Sequence, residues 1–381
     1  MKQGWEVRKL GDVCYSKASN ISQNKLADEI GDYPIFGASG LIKNVSFYHR
    51  DKPYLSIVKD GSGFGRITKM DAFTSVIGTL QYILPNDEID LDYLNYSLMS
   101  VDFKKYLQGA AIPHIYFKDY KNEPFLWMPL KEQQRIVAIL DEAFAAITQA
   151  KANAEQNLKN AKELFESYLQ SVFENKGEGW EERTLGEVCK VERGSSPRPI
   201  DKYFTNEDDG VNWIKIGDTK GVDRYIYTTK QKITKEGALK SRLVEVDDFI
   251  LSNSMSFGKP YIMKTQGYIH DGWFVLRLPK DIDTEFFWYL LASPYTMNQF
   301  ISLAAGAIVK NISGDLVKRT VLPIPPLKEQ QTIVQKLDAL STETKQLESI
   351  YQQKINDLDE LKKSILQKAF AGELNTTALV V

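Results

Sequence analysis

The residues of this sequence best suited to chemistry lie in short loops that mix glycine and serine with basic and amide side chains. The clearest are Gly37-Ala-Ser-Gly-Leu-Ile-Lys43-Asn44, Lys59-Asp-Gly-Ser62-Gly-Phe-Gly-Arg66, Arg193-Gly-Ser195-Ser196-Pro-Arg198-Pro, Ser252-Asn253-Ser254-Met-Ser-Phe-Gly-Lys259 and His270-Asp-Gly-Trp273. Small residues let backbone N–H groups approach a phosphate, Lys and Arg supply charge, and Asn, Ser or Arg can read base edges in a groove. The candidate DNA contacts are Lys43, Asn44, Lys59, Ser62, Arg66, His114, Arg193, Ser195, Ser196, Arg198, Lys215, Asn253, Ser254, Lys259, His270, Lys310 and Asn311. Taken alone, the GxGxG run Gly61 to Gly65 reads as a turn, His114 as a turn histidine beside Pro113, and Trp213, Trp273 and Phe257 as packing residues.

Other chemistry lacks its residues. No GxxxxGK[ST] loop, HExxH helix, GxSxG elbow or CxxC occurs, nor an Asn-Pro-Pro-aromatic or Asp-Pro-Pro-Tyr element of an amino-methyltransferase. Glu360-Leu-Lys362 reads as an ordinary surface charge pair. Two cysteines, Cys14 and Cys189, and three histidines, His49, His114 and His270, give neither a disulfide framework nor a zinc spacing, so both thiols are expected reduced and the fold metal-free.

The elements that position these loops come from an internal repeat. Trp5-Glu-Val-Arg-Lys-Leu-Gly-Asp-Val-Cys14 returns as Trp180-Glu-Glu-Arg-Thr-Leu-Gly-Glu-Val-Cys189, and Pro129-Leu-Lys-Glu-Gln-Gln134 as Pro326-Leu-Lys-Glu-Gln-Gln331. The offset grows between these anchors, so the second half carries insertions within a related but divergent domain, and the cysteines hold a repeated structural position. Residues 15 to 128 and 190 to 325 read as α+β. Strands are expected at Tyr54 to Val58, Trp213 to Ile216 and Phe274 to Leu278, and one helix in each at Leu91 to Leu107 and Glu285 to Leu303.

Each half closes on a run of about 44 residues, roughly 65 Å of helix. Its a/d seam is Ile136, Leu140, Ala143, Ile147, Ala150, Ala154, Asn157, Ala161, Leu164 and Tyr168 in the first copy. In the second it is Ile333, Leu337, Leu340, Thr344, Leu347, Tyr351, Lys354, Leu358, Leu361 and Ile365. Alanines in one copy against bulky residues in the other suit two helices packing together within one chain. Asn157 and Lys354 occupy a shared polar slot that either sets register or is simply solvated.

The expected fold class is α+β: two variable domains of mixed α/β structure separated by two long antiparallel coiled-coil helices, with a pseudo-twofold internal repeat. The expected boundaries are 1–128 and 176–325 for the domains, and 129–175 and 326–381 for the spacer helices. With 381 residues, 43% apolar and 26% charged, the composition is globular. No apolar run is long enough to span a membrane and the start lacks a signal peptide, so a cytoplasmic protein is expected. The net charge of −2 excludes bulk basicity, and the two helical segments hold 12 basic and 15 acidic residues against 36 and 35 elsewhere. DNA would therefore meet a sorted patch outside the helices, and the isolated subunit would bind weakly.

On these residues the chain resembles the specificity subunit of type I restriction-modification systems. The most specific elements are Trp-x-x-x-x-Leu-Gly-x-Val at Trp5 and Trp180 and Pro-Leu-x-Glu-Gln-x-x-Ile-Val at Pro129 and Pro326. In the second domain Gly194-Ser-Ser-Pro-Arg-Pro199, Trp213-Ile-Lys-Ile-Gly-Asp218, Ile233-Thr-x-Glu-Gly237 and His270-Asp-Gly-Trp273 look like one recognition-domain subtype. In the first, Tyr33-Pro-Ile-Phe-Gly-Ala-Ser-Gly40 and Lys59-Asp-Gly-Ser-Gly63 look like another. The resemblance implies a non-catalytic subunit in which each domain reads half of a split, asymmetric double-stranded DNA site. It also implies that the helices fix the half-site spacing and dock two methyltransferase subunits. No cofactor is expected in this chain; S-adenosylmethionine, ATP and Mg²⁺ belong to those subunits and to a motor-nuclease subunit. Two other readings stay open: a specificity chain for a type IIB-like fused nuclease-methyltransferase, and a coiled-coil scaffold that binds only proteins.

Overall fold

The computed structural model of the chain describes residues 4–109, 112–253, 258–304 and 313–374. They divide into two units, residues 1–155 with 352–381, and residues 156–351.

The first unit opens with the strand Glu6–Lys9, a single helical turn Leu10–Val13 and the strand Cys14–Ala18. Leu10 and Val13 face inward because the turn is capped by Asp12, whose carboxylate takes the Lys9 N–H. Gly11 allows a close approach there. Its N–H donates to the Lys121 carbonyl at 2.7 Å, and an added Cβ would lie 3.2 Å from Lys121. The second unit repeats the device with Glu181–Thr184, Leu185–Val188, a Thr184/Glu187 capping box and Gly186 against Lys318. In both, the cysteine Sγ meets the carbonyl four residues back, Cys14 on Leu10 and Cys189 on Leu185, and burial pushes each thiol up to about 12. The repeated Leu-Gly-x-Val-Cys is thus a corner of the core.

Beyond this corner the units differ. The first holds an antiparallel sheet in the order Cys14–Ala18, Leu80–Pro85, Tyr54–Val58, Ile67–Met70, and a smaller one in the order Gly40–Val45, Tyr33–Gly37, Ser75–Val76. Tyr54–Val58 is buried throughout, as a central strand covered on both faces must be. The second holds two five-stranded sheets, Lys190–Arg193, Trp273–Arg277, Phe249–Ser252, Pro260–Met263, Tyr225–Ile226, and Phe204–Thr205, Gln231–Ile233, Val211–Ile214, Gly267–Ile269, Arg242–Val244.

Three sequence expectations need correction. Leu91 to Leu107 is a helix only over Leu91–Met99, capped by Asp90 and followed by a 3-10 turn at Phe103–Tyr106. Glu285 to Leu303 is two helices, Thr284–Ala292 and Pro294–Ala304, because Pro294 cannot continue the first and instead opens the second, with Ser293 Oγ accepting the Thr296 N–H. Ile216 leaves its strand for a 3-10 turn, Ile216–Thr219.

The long helices are Leu130–Glu174 and Leu327–Phe370. In the first unit they pack antiparallel: Phe144 and Ile147 share a core with Leu358, Ile365 and Leu366, and Lys151 pairs with Asp359 at 2.7 Å. Ile136, Leu140, Ile147 and Leu337 are buried and Ile333 is half-buried. Farther along, the strict heptad slips. Leu164, Tyr168, Leu347 and Leu361 are exposed, whereas Phe165, Leu169, Phe173, Ile355 and Leu366 turn inward. A helix of 3.6 residues per turn drifts against a 3.5 repeat. In addition, the end of the first helix packs on the domain core, Phe173 5.8 Å from Phe286 and Phe165 6.3 Å from Tyr289. Asn157 and Lys354 are exposed, so neither fills a buried register slot.

Each unit fastens its helix with the repeated Pro-Leu-Lys-Glu-Gln motif. Gln133, fully buried, accepts the Asp90 N–H at 2.8 Å and donates to the carbonyls of Glu88 and Met128. Gln330 accepts the Asp283 N–H at 2.7 Å and donates to Pro325 O. About two turns on, Asp141 takes the Tyr96 hydroxyl and Asp338 the Tyr289 hydroxyl, both at 2.5 Å. In the second unit Arg224 adds to this joint, stacked 4.1 Å over Trp288 and paired with Glu285 at 2.7 Å.

Candidate nucleic-acid interface

In the first unit the glycine-rich loops are shaped by backbone demands. Gly61 and Gly65 have φ of +91° and +78°, and a Cβ on Gly65 would sit 2.9 Å from Phe103. The loop closes a hairpin, Val58 N to Arg66 O and Gly65 N to Val58 O, and so delivers Arg66 to the strand end. Arg66 then lines a cleft of about 190 Å³ with Ser56, Thr68 and the Gly37-Ala-Ser-Gly40 turn. Two of the loops singled out in the sequence meet there. The exposed guanidinium of Arg66 makes no ion pair among the described residues.

The other candidates of this unit divide by what already holds them. Lys43 is spent on the fold, its Nζ donating to Leu26 O and Ala27 O. Lys59 and His114 converge on Asp60, at 2.5 and 3.3 Å. Asn44 and Ser62 are exposed beside them.

The second unit gathers its candidates around one carboxylate. Asp271 accepts from Ser196 Oγ at 2.8 Å and pairs with Arg198 at 3.2 Å, while its carbonyl takes Arg193 Nε and Asn253 Nδ2. Burial works against the Asp271 charge, but the Ser196 hydroxyl, its own N–H, His270 and Arg198 together hold the carboxyl below the usual carboxylate range. His270 Nδ1 accepts the Gly272 N–H at 2.8 Å, which fixes the other ring nitrogen as donor, and burial lowers its pKa. Glycine is obligatory around this histidine: a Cβ on Gly194 would lie 2.0 Å from His270 O, and one on Gly272 2.3 Å from the ring.

Trp213 and Trp273 are core residues, as expected. Ser195 is tied to Lys240 O, Lys215 to Gln231 and Asp218, and Lys259 to Val222 O, so these position the loops. Ser254, Lys310 and Asn311 lie outside the described residues. Arg198, 80% exposed, is open to a ligand. Sequence reasoning missed Asp271 as the hub, although His270-Asp-Gly-Trp was in view. It also missed Arg242, which reaches Arg193 O and Glu192.

Two α+β units, each fastened to long helices by the same joint and each presenting a glycine-constrained loop with an exposed arginine, define a bipartite binding module. Among the described residues no group of histidine, cysteine and carboxylate side chains could hold a metal ion, and no helix is long and apolar enough to cross a membrane.

Comparison with known proteins places that module. The type I restriction modification DNA specificity domain family matches residues 2–159 and 177–357, and the chain belongs to it. It is 24% identical to the type I restriction enzyme MjaVIII specificity subunit of Methanocaldococcus jannaschii over 99% of this chain and 94% of that one. It is 22% identical to the EcoDI specificity subunit of Escherichia coli, covering 97% and 88%. The fold matches a chain solved in work on assembly and conformational transition of the type I R-M system, with TM-score 0.77, 19% identity and coverage of 98% and 99%. It also matches the HsdS subunit of Thermoanaerobacter tengcongensis, with TM-score 0.63, 20% identity and 98% of each chain.

Proposed function

We propose that this chain is the DNA sequence-specificity subunit of a type I restriction-modification complex, each unit reading one half of a bipartite, asymmetric site. The observation that carries the reading is one joint with two unlike interiors: matching corners and glutamine clasps hold different sheets, and the exposed arginines, Arg66 and Arg198, sit on differently built loops. Unlike readers on a common mount select unlike half-sites. The chain itself is non-catalytic. Two methyltransferase subunits dock on the long helices, and S-adenosylmethionine, ATP and Mg²⁺ serve those subunits and a motor-nuclease partner. The DNA contacts are the exposed loop residues that the fold leaves open, with Arg66 and Arg198 foremost, and the helices set the half-site spacing.

Co-expression with a partner methyltransferase and mapping of methylated adenines tests this. The expected pattern is a split motif whose first half relaxes in Arg66→Ala and whose other half relaxes in Arg198→Ala. Seven residues added to each helix add about 10.5 Å, or about three base pairs of spacing. Unchanged spacing, or both halves relaxing in either variant, refutes the assignment.

A further inference from the structure

A second cleft in the first unit, about 550 Å³, is lined by Tyr15, Tyr116, Lys118 and Lys121. Its tyrosines are large exposed aromatics, unlike Tyr54, Tyr82, Tyr93 and Tyr120, which are buried. Each carries a lysine: Lys118 Nζ is 5.3 Å over the Tyr116 ring and Lys17 Nζ 6.0 Å over Tyr15. The neighbouring acids are engaged elsewhere, Asp119 by Gln108 and Glu123 by Tyr106, and among the described residues Lys17, Lys118 and Lys121 make no ion pair. That sets them apart from Lys43 and Lys59, which the fold already occupies.

The cleft adjoins the reading loops. The Tyr116 ring is 6.1 Å from that of His114, which faces Asp60, and the loop is bonded to this stretch through Gly61 N to Pro113 O and Ile115 N to Lys59 O. Two unpaired ammonium groups and two phenol hydroxyls around an open cleft, with the Lys17 ammonium beside Tyr15, fit a row of phosphates, lysine acting as a point charge and tyrosine as a donor.

We propose that this cleft grips the sugar-phosphate backbone of duplex DNA beside the bases addressed by the Arg66 face. The proposal rests on the DNA-reading function above. It makes the first unit a two-point holder, with a base-reading cleft and a backbone clamp joined through the segment from His114 to Tyr116.

The test measures the full chain against a random-sequence duplex by fluorescence anisotropy across a NaCl series. Each lysine that neutralises a phosphate contributes about 0.9 to the salt slope, so Lys17→Ala/Lys118→Ala/Lys121→Ala is expected to reduce it by two to three and weaken binding by at least about tenfold at low salt. Tyr15→Phe/Tyr116→Phe, which keeps the rings and removes the hydroxyls, is expected to weaken binding by several fold. All five positions are exposed surface, and thermal unfolding checks that the variants remain folded. If the triple variant keeps the wild-type slope while Arg66→Ala weakens binding, the clamp is wrong and the DNA reading stands. A wild-type chain that does not retain the duplex even when joined by its methyltransferase partner overturns both. If single-stranded DNA or RNA competes better than duplex, the cleft is a stacking site for unpaired bases and the duplex assignment fails.

Discussion

The glutamine clasp allows a quantitative test of the joint between helix and domain. Gln133→Ala removes three hydrogen bonds from a fully buried side chain, those to Asp90 N, Glu88 O and Met128 O, at 2.8, 3.0 and 2.8 Å. At about 1 kcal/mol each, the loss is about 3 kcal/mol. Gln330→Ala removes the two bonds to Asp283 N and Pro325 O, for about 2 kcal/mol. For units of this size 1 kcal/mol shifts Tm by about 2–4 °C, giving drops of about 6–12 °C and 4–8 °C. The two units need not unfold together, so hydrogen exchange at the Asp90 and Asp283 amides assigns each loss to its unit. Gln133→Glu is expected to do no better than alanine, because a carboxylate keeps the acceptor for Asp90 N but cannot donate to two carbonyls. A Gln133→Ala loss under about 0.5 kcal/mol, or a larger loss in Gln330→Ala, would refute the clasp as the fastening of each half.

Other outcomes follow from the same geometry. His270 has its pKa lowered by burial, so the unfolded chain takes the proton first; stability of the second unit is expected to fall as pH drops below about 6.5, and His270→Gln to flatten that dependence in thermal unfolding followed across pH. Cys14 and Cys189, with thiols pushed up to about 12, are expected to resist alkylation at pH 8 in the native chain and react at once in denaturant, as mass spectrometry would record. Asp271→Asn is expected to release Arg198 with a stability change within about 1 kcal/mol, since the pair is exposed, but to alter DNA binding, which anisotropy would register.

Much of this organisation was legible in the sequence because it is repeated. Leu-Gly-x-Val-Cys and Pro-Leu-Lys-Glu-Gln stand twice, and each proves to be a packing or hydrogen-bonding unit whose parts are close in the chain. The seam failed where its partner changed: periodicity marks an apolar stripe but not what covers it, so Leu164 was expected inside where Phe165 lies. The helix break after Ser293 had a local sign in Pro294. Sheet order had none, since strand pairings such as Trp213 with Tyr268 join distant segments. In the candidate interface, loops rich in glycine and arginine were visible as composition, and their convergence on Asp271 was not. Tyr15 and Tyr116 carry no spacing signal at all, because only the fold brings them to one cleft.

The shared corner and clasp also bear on inheritance. Because the corner and the glutamine and aspartate of the clasp are drawn from sequence that both halves possess, genetic exchange within those stretches would replace one interior with another and leave that shared fastening in place. New target preferences could then arise by shuffling whole readers, without point-by-point change of the loops and without re-evolving the long helices.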